Sequence, residues 1–158
     1  MSGEGKAEKS ILVVYHSQGA TMRRMAEVVA EGAAKVDDVK VVLKSAGEAT
    51  LDDLVTCNGL AIGSPEYFGY MAGAIKDFFD RTYEKGREHT FRLPYVLFVC
   101  AGNDGRGAIA HIERIATGYK WKKVAEPLRF VGTPDESGLD KLRELGETLA
   151  AGVDFGIF

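Results

Sequence analysis

The sequence predicts an α/β fold, a doubly wound five-stranded parallel sheet with helices on both faces. Two observations support it. Short apolar runs rich in β-branched residues alternate with segments whose apolar residues recur every three or four positions. The first run, Ile11 to Tyr15, is apolar throughout, as in strands buried on both faces. Right-handed crossovers then give the strand order 2-1-3-4-5, in which ligands bind beyond the carboxyl ends of the strands.

The composition is that of one globular domain of 158 residues. We expect residues 1–9, which are polar and contain glycine, to form a mobile arm before a single domain at residues 10–158. A net charge of −3 gives no basic surface for nucleic acid, and no apolar run predicts a membrane span or a signal peptide. Cys57 and Cys100 fit no metal or redox spacing, so we interpret them as buried thiols in a reducing, cytoplasmic compartment.

The strands follow from the apolar runs. After the first strand, short runs predict strands at residues 39–43, 59–63, 95–101 and 124–131.

The helices follow from apolar residues at helical spacing. We expect a brief helical turn at residues 50–55 capped by Thr50, whose hydroxyl can accept from the first turn. The inward residues predicted for the four longer helices are Met22, Met25, Ala26, Val29 and Ala33; Met71, Ile75 and Phe78; Ile109, Ile112, Ile115 and Tyr119; and Leu139, Leu142, Leu145 and Leu149.

Three loops leave the carboxyl ends of strands one, three and four, which are neighbours in the predicted order. We therefore expect them to form one continuous site. The candidate residues are His16, Ser17, Gln18, Gly19, Ala20 and Thr21 in the first loop, Ser64, Pro65, Glu66, Tyr67, Phe68 and Gly69 in the second, and Ala101, Gly102, Asn103, Asp104, Arg106 and Gly107 at the third.

The first loop joins a buried strand to a helix N-terminus, where unpaired N–H groups and the helix dipole suit a phosphate. Ser17 and Thr21 add hydroxyl groups, and Gly19 lets the backbone approach closely. The alternative is an ordinary turn with Thr21 as the helix N-cap. The loop has neither the Gly-Lys-Ser/Thr ending of nucleotide triphosphatases nor the Gly-x-Gly-x-x-Gly pattern of dinucleotide-binding units.

The second and third loops suit a flat ring. Tyr67, Phe68 and the nearby Tyr70 can lie against such a ring, while backbone N–H groups after Ala101 can donate to its polar edge. Phosphate and planar heteroaromatic ring together describe a mononucleotide, and FMN fits best. The alternative is that Phe68 and Tyr70 simply cover the end of the sheet.

The residues from Ala61 to Gly73, followed by Phe78-Phe79-Asp80-Arg81-Thr82, carry a family resemblance. The chain resembles the flavodoxin-like superfamily, and this stretch is similar to the FMN-binding NAD(P)H:quinone oxidoreductases of the tryptophan-repressor-binding-protein type. The resemblance implies that Ser17 and Thr21 hold the FMN phosphate. It also implies that residues 65–69 line the flavin ring and that residues 102–103 meet its pyrimidine edge.

The chain departs from that family in three places. The first loop is one residue shorter. Tyr83 and Glu84 stand where the family carries a tryptophan. The third loop has Asn103, Asp104 and Arg106 in place of a histidine and further glycines.

Three functions remain open at this point. The first is an FMN-dependent NAD(P)H oxidoreductase acting on quinones or other small acceptors, with the flavin supplying the chemistry and no metal or catalytic side chain. The second is a flavodoxin-type electron carrier that meets a redox protein. The third is a sensor that binds FMN weakly or not at all. The resemblance and the apolar residues 153–158 also suggest a homodimer.

Overall fold

A computed structural model describes residues 8–158, and most of the predicted N-terminal arm lies outside this range. The elements run in the order β1 (Lys9–Tyr15), α1 (Thr21–Ala33), β2 (Val39–Ser45), α2 (Leu51–Thr56), β3 (Gly59–Tyr67), β4 (Tyr70–Met71), α3 (Gly73–Gly86), β5 (Pro94–Ala101), α4 (Arg106–Tyr119), β6 (Lys122–Lys123), β7 (Leu128–Val131) and α5 (Glu136–Phe155). Lys9, assigned to the arm from the sequence, instead begins β1, and its amino group donates to the carbonyls of Val153 and Asp154 at the end of α5.

The sheet has the predicted order and is parallel apart from one short hairpin. β2, β1, β3 and β5 lie side by side, and β6 and β7 both pair with β5 at the fifth position. The strand predicted within residues 124–131 is present as β7, whereas β6 precedes that range and was not predicted. Pro127 lies in the gap and has no N–H to donate to a ladder, which is consistent with the break between β6 and β7.

The second loop is also shorter than predicted. Residues 64–67 continue β3, and Glu66 and Tyr67 pair antiparallel with β4, so only Phe68 and Gly69 form the turn. Pro65 is tolerated in the strand for a geometric reason. The N–H of His16 donates to the carbonyl of Gly63, and strand alternation points residue 65 to the same side, beyond the end of β1, where no ladder bond is needed.

Alternate residues of each central strand fill two cores. Ile11 and Val13 face α1 and α5, whereas Leu12 and Val14 face α2, α3 and α4. This alternation explains why β1 reads as continuously apolar. The predicted inward residues Met25, Phe78 and Leu142 are all buried, which confirms the helical patterns.

The capping of α2 follows the prediction. Thr50 accepts from the N–H of Asp53, and the Asp53 carboxylate accepts in return from the N–H of Thr50. At the C-terminal end of the chain, Phe155 and Ile157 are exposed. The predicted homodimer stays a prediction.

Within residues 8–158, no helix combines the length and the apolar character needed to cross a membrane.

Candidate functional site

The N-terminus of α1 is open to a ligand. Its N-cap is Ala20, which has no side-chain oxygen, and the first turn contains no acidic residue. The first intrahelical bond runs from the N–H of Arg24 to the carbonyl of Ala20. Among the residues that the structure describes, no side chain therefore caps the N–H groups of this first turn, as in helix ends that bind anions.

Thr21 does not cap the helix. It is the first helical residue, so the interpretation of Thr21 as an ordinary N-cap was wrong. Ser17 donates its hydroxyl hydrogen to the carbonyl of Gly19 and so shapes the loop. A Cβ atom added at Gly19 would meet no heavy atom within 4 Å, so the loop leaves open space beside the helix end.

A cavity of about 170 Å³ joins the first loop to β3 and β5. Its lining comprises Ser17, Gln18, Gly19, Ala20, Thr21, Met22, Pro65, Tyr67 and Cys100. A larger cavity of about 340 Å³ lies between α3 and α4, but no candidate residue from the three loops lines it. The smaller cavity is therefore the better candidate for ligand binding.

A fourth segment, which was not predicted from the sequence, borders the first loop. The hydroxyl of Thr133 lies 3.4 Å from that of Thr21, and the N–H of Gly132 donates to the carbonyl of Ala101 over 2.9 Å. The sequence signal was available, because Gly132, Thr133 and Pro134 follow the last strand just as the other loops follow theirs.

Cys100 and Met22 also line the cavity without having been predicted to do so. Burial raises the pKa of the Cys100 thiol, so this thiol stays protonated and is a poor nucleophile. Burial is also the main cause of the raised pKa of the Tyr67 phenol, with a smaller contribution from Cys100. The rings of Tyr67 and His16 are almost perpendicular to each other, with 6.5 Å between their centroids.

The hairpin tip between β3 and β4 has an unusual backbone. Phe68 and Gly69 both adopt positive φ angles, of 53° and 74°, as two-residue hairpin turns require. This conformation is uncommon for an aromatic residue, and the Phe68 side chain is fully exposed. Tyr70 packs instead against His111, with 4.7 Å between ring centroids, and it is not among the residues that line the cavity.

Two residues predicted as ligand contacts use their side chains within the protein. The buried hydroxyl of Ser64 accepts from the N–H of Ala72 over 3.0 Å and donates to the carbonyl of Pro65 over 2.7 Å. The carboxylate of Glu66 accepts from the N–H groups of Gly105 and Ala108, each over 3.1 Å. These side chains position the hairpin and the third loop.

The third loop presents backbone to solvent. Gly102 and Asn103 are exposed, and Asp104 accepts from the N–H of Arg106 through its carboxylate. Arg129 donates to the carbonyl of Asp104 over 2.8 Å. Arg106 and Gly107, predicted as loop residues, instead form the first turn of α4, because Gly105 with its φ of 82° ends the loop.

Curated proteins with similar sequences include flavoproteins of two kinds. A flavodoxin from Aquifex aeolicus is 41% identical over 70 residues, which cover 44% of this chain and 38% of that protein. An NAD(P)H dehydrogenase (quinone) from Acidithiobacillus ferrooxidans is 34% identical over 100 residues, covering 49% of this chain and 50% of that one. The chain thus spans half or less of the length of these relatives.

Solved structures confirm the flavodoxin-like fold. An archaeal flavodoxin superposes with a TM-score of 0.83 at 23% identity and covers 92% of this chain and 99% of its own. A WrbA-like flavodoxin from Agrobacterium tumefaciens gives 0.76 at 21% identity, over 93% and 98%. The flavodiiron protein from Giardia intestinalis gives 0.78 at 20% identity, over 97% of this chain and 38% of that one. At these identities the likeness concerns the fold alone.

A family model extends the agreement from fold to cofactor. The model described as NADPH-dependent FMN reductase matches residues 20–127, which is well over half of the chain. This match confirms the expectation of FMN as cofactor, and NAD(P)H fits the family as electron donor. The chain belongs to the NADPH-dependent FMN reductase family.

Proposed function

We propose that the protein is an FMN-dependent NAD(P)H oxidoreductase that reduces quinone-like or other small acceptors. FMN, when bound, supplies the redox chemistry by taking electrons from the nicotinamide and passing them to the acceptor. The side chains of the protein bind and orient the reactants. The observation that carries the proposal is the open N-terminus of α1, which lies beside a cavity that Tyr67 also lines.

The residues present fit FMN at its phosphate end. No side chain within residues 8–158 caps the first-turn N–H groups of α1, and their partial positive charge favours an anion. The hydroxyl groups of Thr21 and Thr133 lie on the same side of this helix end. We assign the phosphate to this cradle, with Thr21 as its nearest helical hydroxyl donor.

The residues also fit a planar ring beyond the phosphate. Pro65 and Tyr67 line the cavity, and the exposed Phe68 follows Tyr67 at the hairpin tip, from where an aromatic side chain would cover a flat ligand. The exposed backbone of Gly102 and Asn103 would meet the polar edge of the ring. Arg106, the first residue of α4, would stabilise negative charge at this edge of the ring.

Turnover of FMN-loaded protein tests this proposal. The protein is incubated with FMN, desalted, and mixed with NADH or NADPH and a soluble benzoquinone, and nicotinamide oxidation is followed by absorbance. We expect steady oxidation that requires the protein, FMN and the quinone. Failure to turn over across several quinones, with FMN retained, would refute the enzymatic part of the proposal.

An electron carrier is the second candidate, and the similarity to flavodoxins favours it. A carrier docks onto a redox protein rather than turning over a small acceptor. The weak net charge of −3 offers little of the electrostatic steering that such encounters use. FMN retention without nicotinamide oxidation, together with electron exchange with a partner reductase, would support this candidate.

A further inference from the structure

We propose that Glu66 is a positioning residue that joins the β3–β4 hairpin to the third loop and thereby sets the affinity of the site for the ring end of FMN. This inference rests on the proposed binding of FMN. It adds to that proposal a residue whose side chain works through other residues and does not touch the cofactor.

The contact itself spans two elements. Glu66 lies at the end of β3, and its two carboxylate oxygens accept separately from the N–H groups of Gly105 and Ala108. Gly105 is the N-cap of α4 and has no side chain of its own to cap the helix. Asp104 accepts from the N–H of Arg106, and Glu66 supplies from the neighbouring strand the acceptor for the N–H groups of Gly105 and Ala108.

The carboxylate also distinguishes the two helix ends at the site. The N-terminus of α1 lacks a carboxylate, whereas that of α4 already holds the negative charge of Glu66. A second anion at α4 would be repelled, while α1 remains free to bind one. The phosphate of a ligand is thus directed to α1, and the third loop is left for the hydrogen-bonding edge of the ring.

Further contacts hold the β3–β4 hairpin, the third loop and the start of α4 together. A Cβ atom added at Gly107 would lie 2.0 Å from the carbonyl oxygen of Gly69, so the helix sits directly against the hairpin tip. Arg129 holds the other side of the loop through the carbonyl of Asp104. Between these anchors Gly102 and Asn103 are exposed, so their placement depends on the anchors at Glu66 and Arg129.

Amide hydrogen exchange in the FMN-free protein tests the contact without using the cofactor. We compare wild type with Glu66→Ala and Glu66→Gln, which keeps one acceptor oxygen but removes the charge. Protection at Gly105 and Ala108 should fall about tenfold in Glu66→Ala, as expected for loss of a hydrogen bond to a charged group, and by less in Glu66→Gln. The control is Glu84→Ala, because the Glu84 side chain is 82% exposed on α3.

Binding of FMN and of riboflavin, which lacks the phosphate, tests the consequence. Glu66→Ala should weaken both ligands by the same factor, about tenfold, because the phosphate cradle at α1 is untouched. Glu66→Gln should recover part of this loss, and Glu84→Ala should bind like wild type. A purely structural role would instead lower the free energy of unfolding and leave riboflavin affinity unchanged in the folded protein.

The outcomes separate the two proposals. Unchanged protection at Gly105 and Ala108, unchanged riboflavin affinity, or tighter FMN binding in Glu66→Ala would each overturn the role assigned to Glu66. Wild-type protein that takes up neither FMN nor riboflavin would refute the proposed function and, with it, the effect of Glu66 on affinity. In that case the exchange data still decide whether Glu66 orders the third loop.

Discussion

Single residues at this site divide between those that hold the protein together and those left free to meet a ligand. The hydroxyl of Ser64 is buried and satisfied on both its donor and acceptor sides. Within residues 8–158, by contrast, the hydroxyl of Thr21 has only the longer 3.4 Å contact to Thr133. Of these two hydroxyl groups, we therefore expect that of Thr21 to donate to a bound phosphate.

Replacing Thr21 with valine tests this expectation. Thr21→Val keeps the shape of the side chain but removes the hydroxyl, so FMN affinity should fall about tenfold, the effect of one hydrogen bond to a charged group. Riboflavin affinity should not change, because riboflavin has no phosphate. Both affinities can be measured by titration while following flavin fluorescence.

The matched control is Thr117→Val on α4. The Thr117 hydroxyl donates to the carbonyl of Glu113 on the helix surface, so its loss should leave both affinities as in wild type. Equal losses of FMN and riboflavin affinity in Thr21→Val would contradict the assignment of Thr21 to the phosphate.

The sequence predicted which loops leave the carboxyl ends of the strands but not the contacts that each residue makes. Glu66 could be placed beside the site because it follows an apolar strand. Its bonds to Gly105 and Ala108 depend on how β3 and α4 come together, which local spacing does not determine. Thr133 was missed although the last predicted strand ends at residue 131, because its position beside Thr21 depends on how the turn after β7 meets α1.

At the scale of secondary structure, the first turn of α4 is the element that the site depends on most. It touches the hairpin through Gly107 and receives the carboxylate of Glu66. Its beginning is fixed by Gly105, which has a positive φ. A change that pushes α4 away from the hairpin should therefore disturb the fold and the third loop together.

Two glycines on α4 should respond in opposite directions to the same substitution. Gly107→Ala places a methyl group against the backbone of Gly69, so the free energy of unfolding should fall by about 1–3 kcal/mol. Gly118→Ala lies near the other end of the helix, where the nearest heavy atom to an added Cβ is 3.9 Å away. There the free energy should rise by about 0.5–1 kcal/mol, because alanine is the better helix former.

Urea unfolding of both variants measures these changes. Gly118→Ala serves as the control for the general effect of alanine in this helix. A Gly107→Ala variant as stable as wild type would show that α4 does not press on the hairpin tip.

Most elements were predictable because their apolar periodicity is strong, as in α1 and α5. The β3–β4 hairpin was not, since Pro65 looks like a strand breaker in sequence. Its tolerance depends on β1 ending before it, a fact of the sheet rather than of the local sequence. The division of the fifth strand escaped prediction because two- and four-residue strands carry too little periodicity.

At the scale of the whole molecule, burial of ionisable groups links stability to pH. Burial raises the pKa of Cys57 from 9.0 to about 12, and those of Tyr95 and Tyr119 from 10.0 to about 12. Each group is neutral when protonated, so the folded state holds its proton to higher pH than the unfolded chain. The resulting stability is complete below the unfolded pKa and is lost as the pH rises toward the folded pKa.

We therefore expect the free energy of unfolding to fall steadily as the pH rises from about 9 to about 12. Urea unfolding across this range measures it. Cys57→Ala removes one of the two buried thiols that titrate first in the unfolded chain, so its free energy of unfolding should fall less steeply near pH 9 than that of wild type. A free energy that stays constant over this range would contradict the burial of these groups.

FMN uptake is the most direct test of the account as a whole. FMN-free protein is titrated with FMN and with riboflavin, and bound flavin is measured by fluorescence and, after desalting, by visible absorbance. We predict saturable binding of one FMN per chain, with riboflavin bound more weakly because it cannot use the α1 N-terminus. A protein that stays colourless after desalting, or that binds riboflavin as tightly as FMN, would contradict the phosphate cradle at α1.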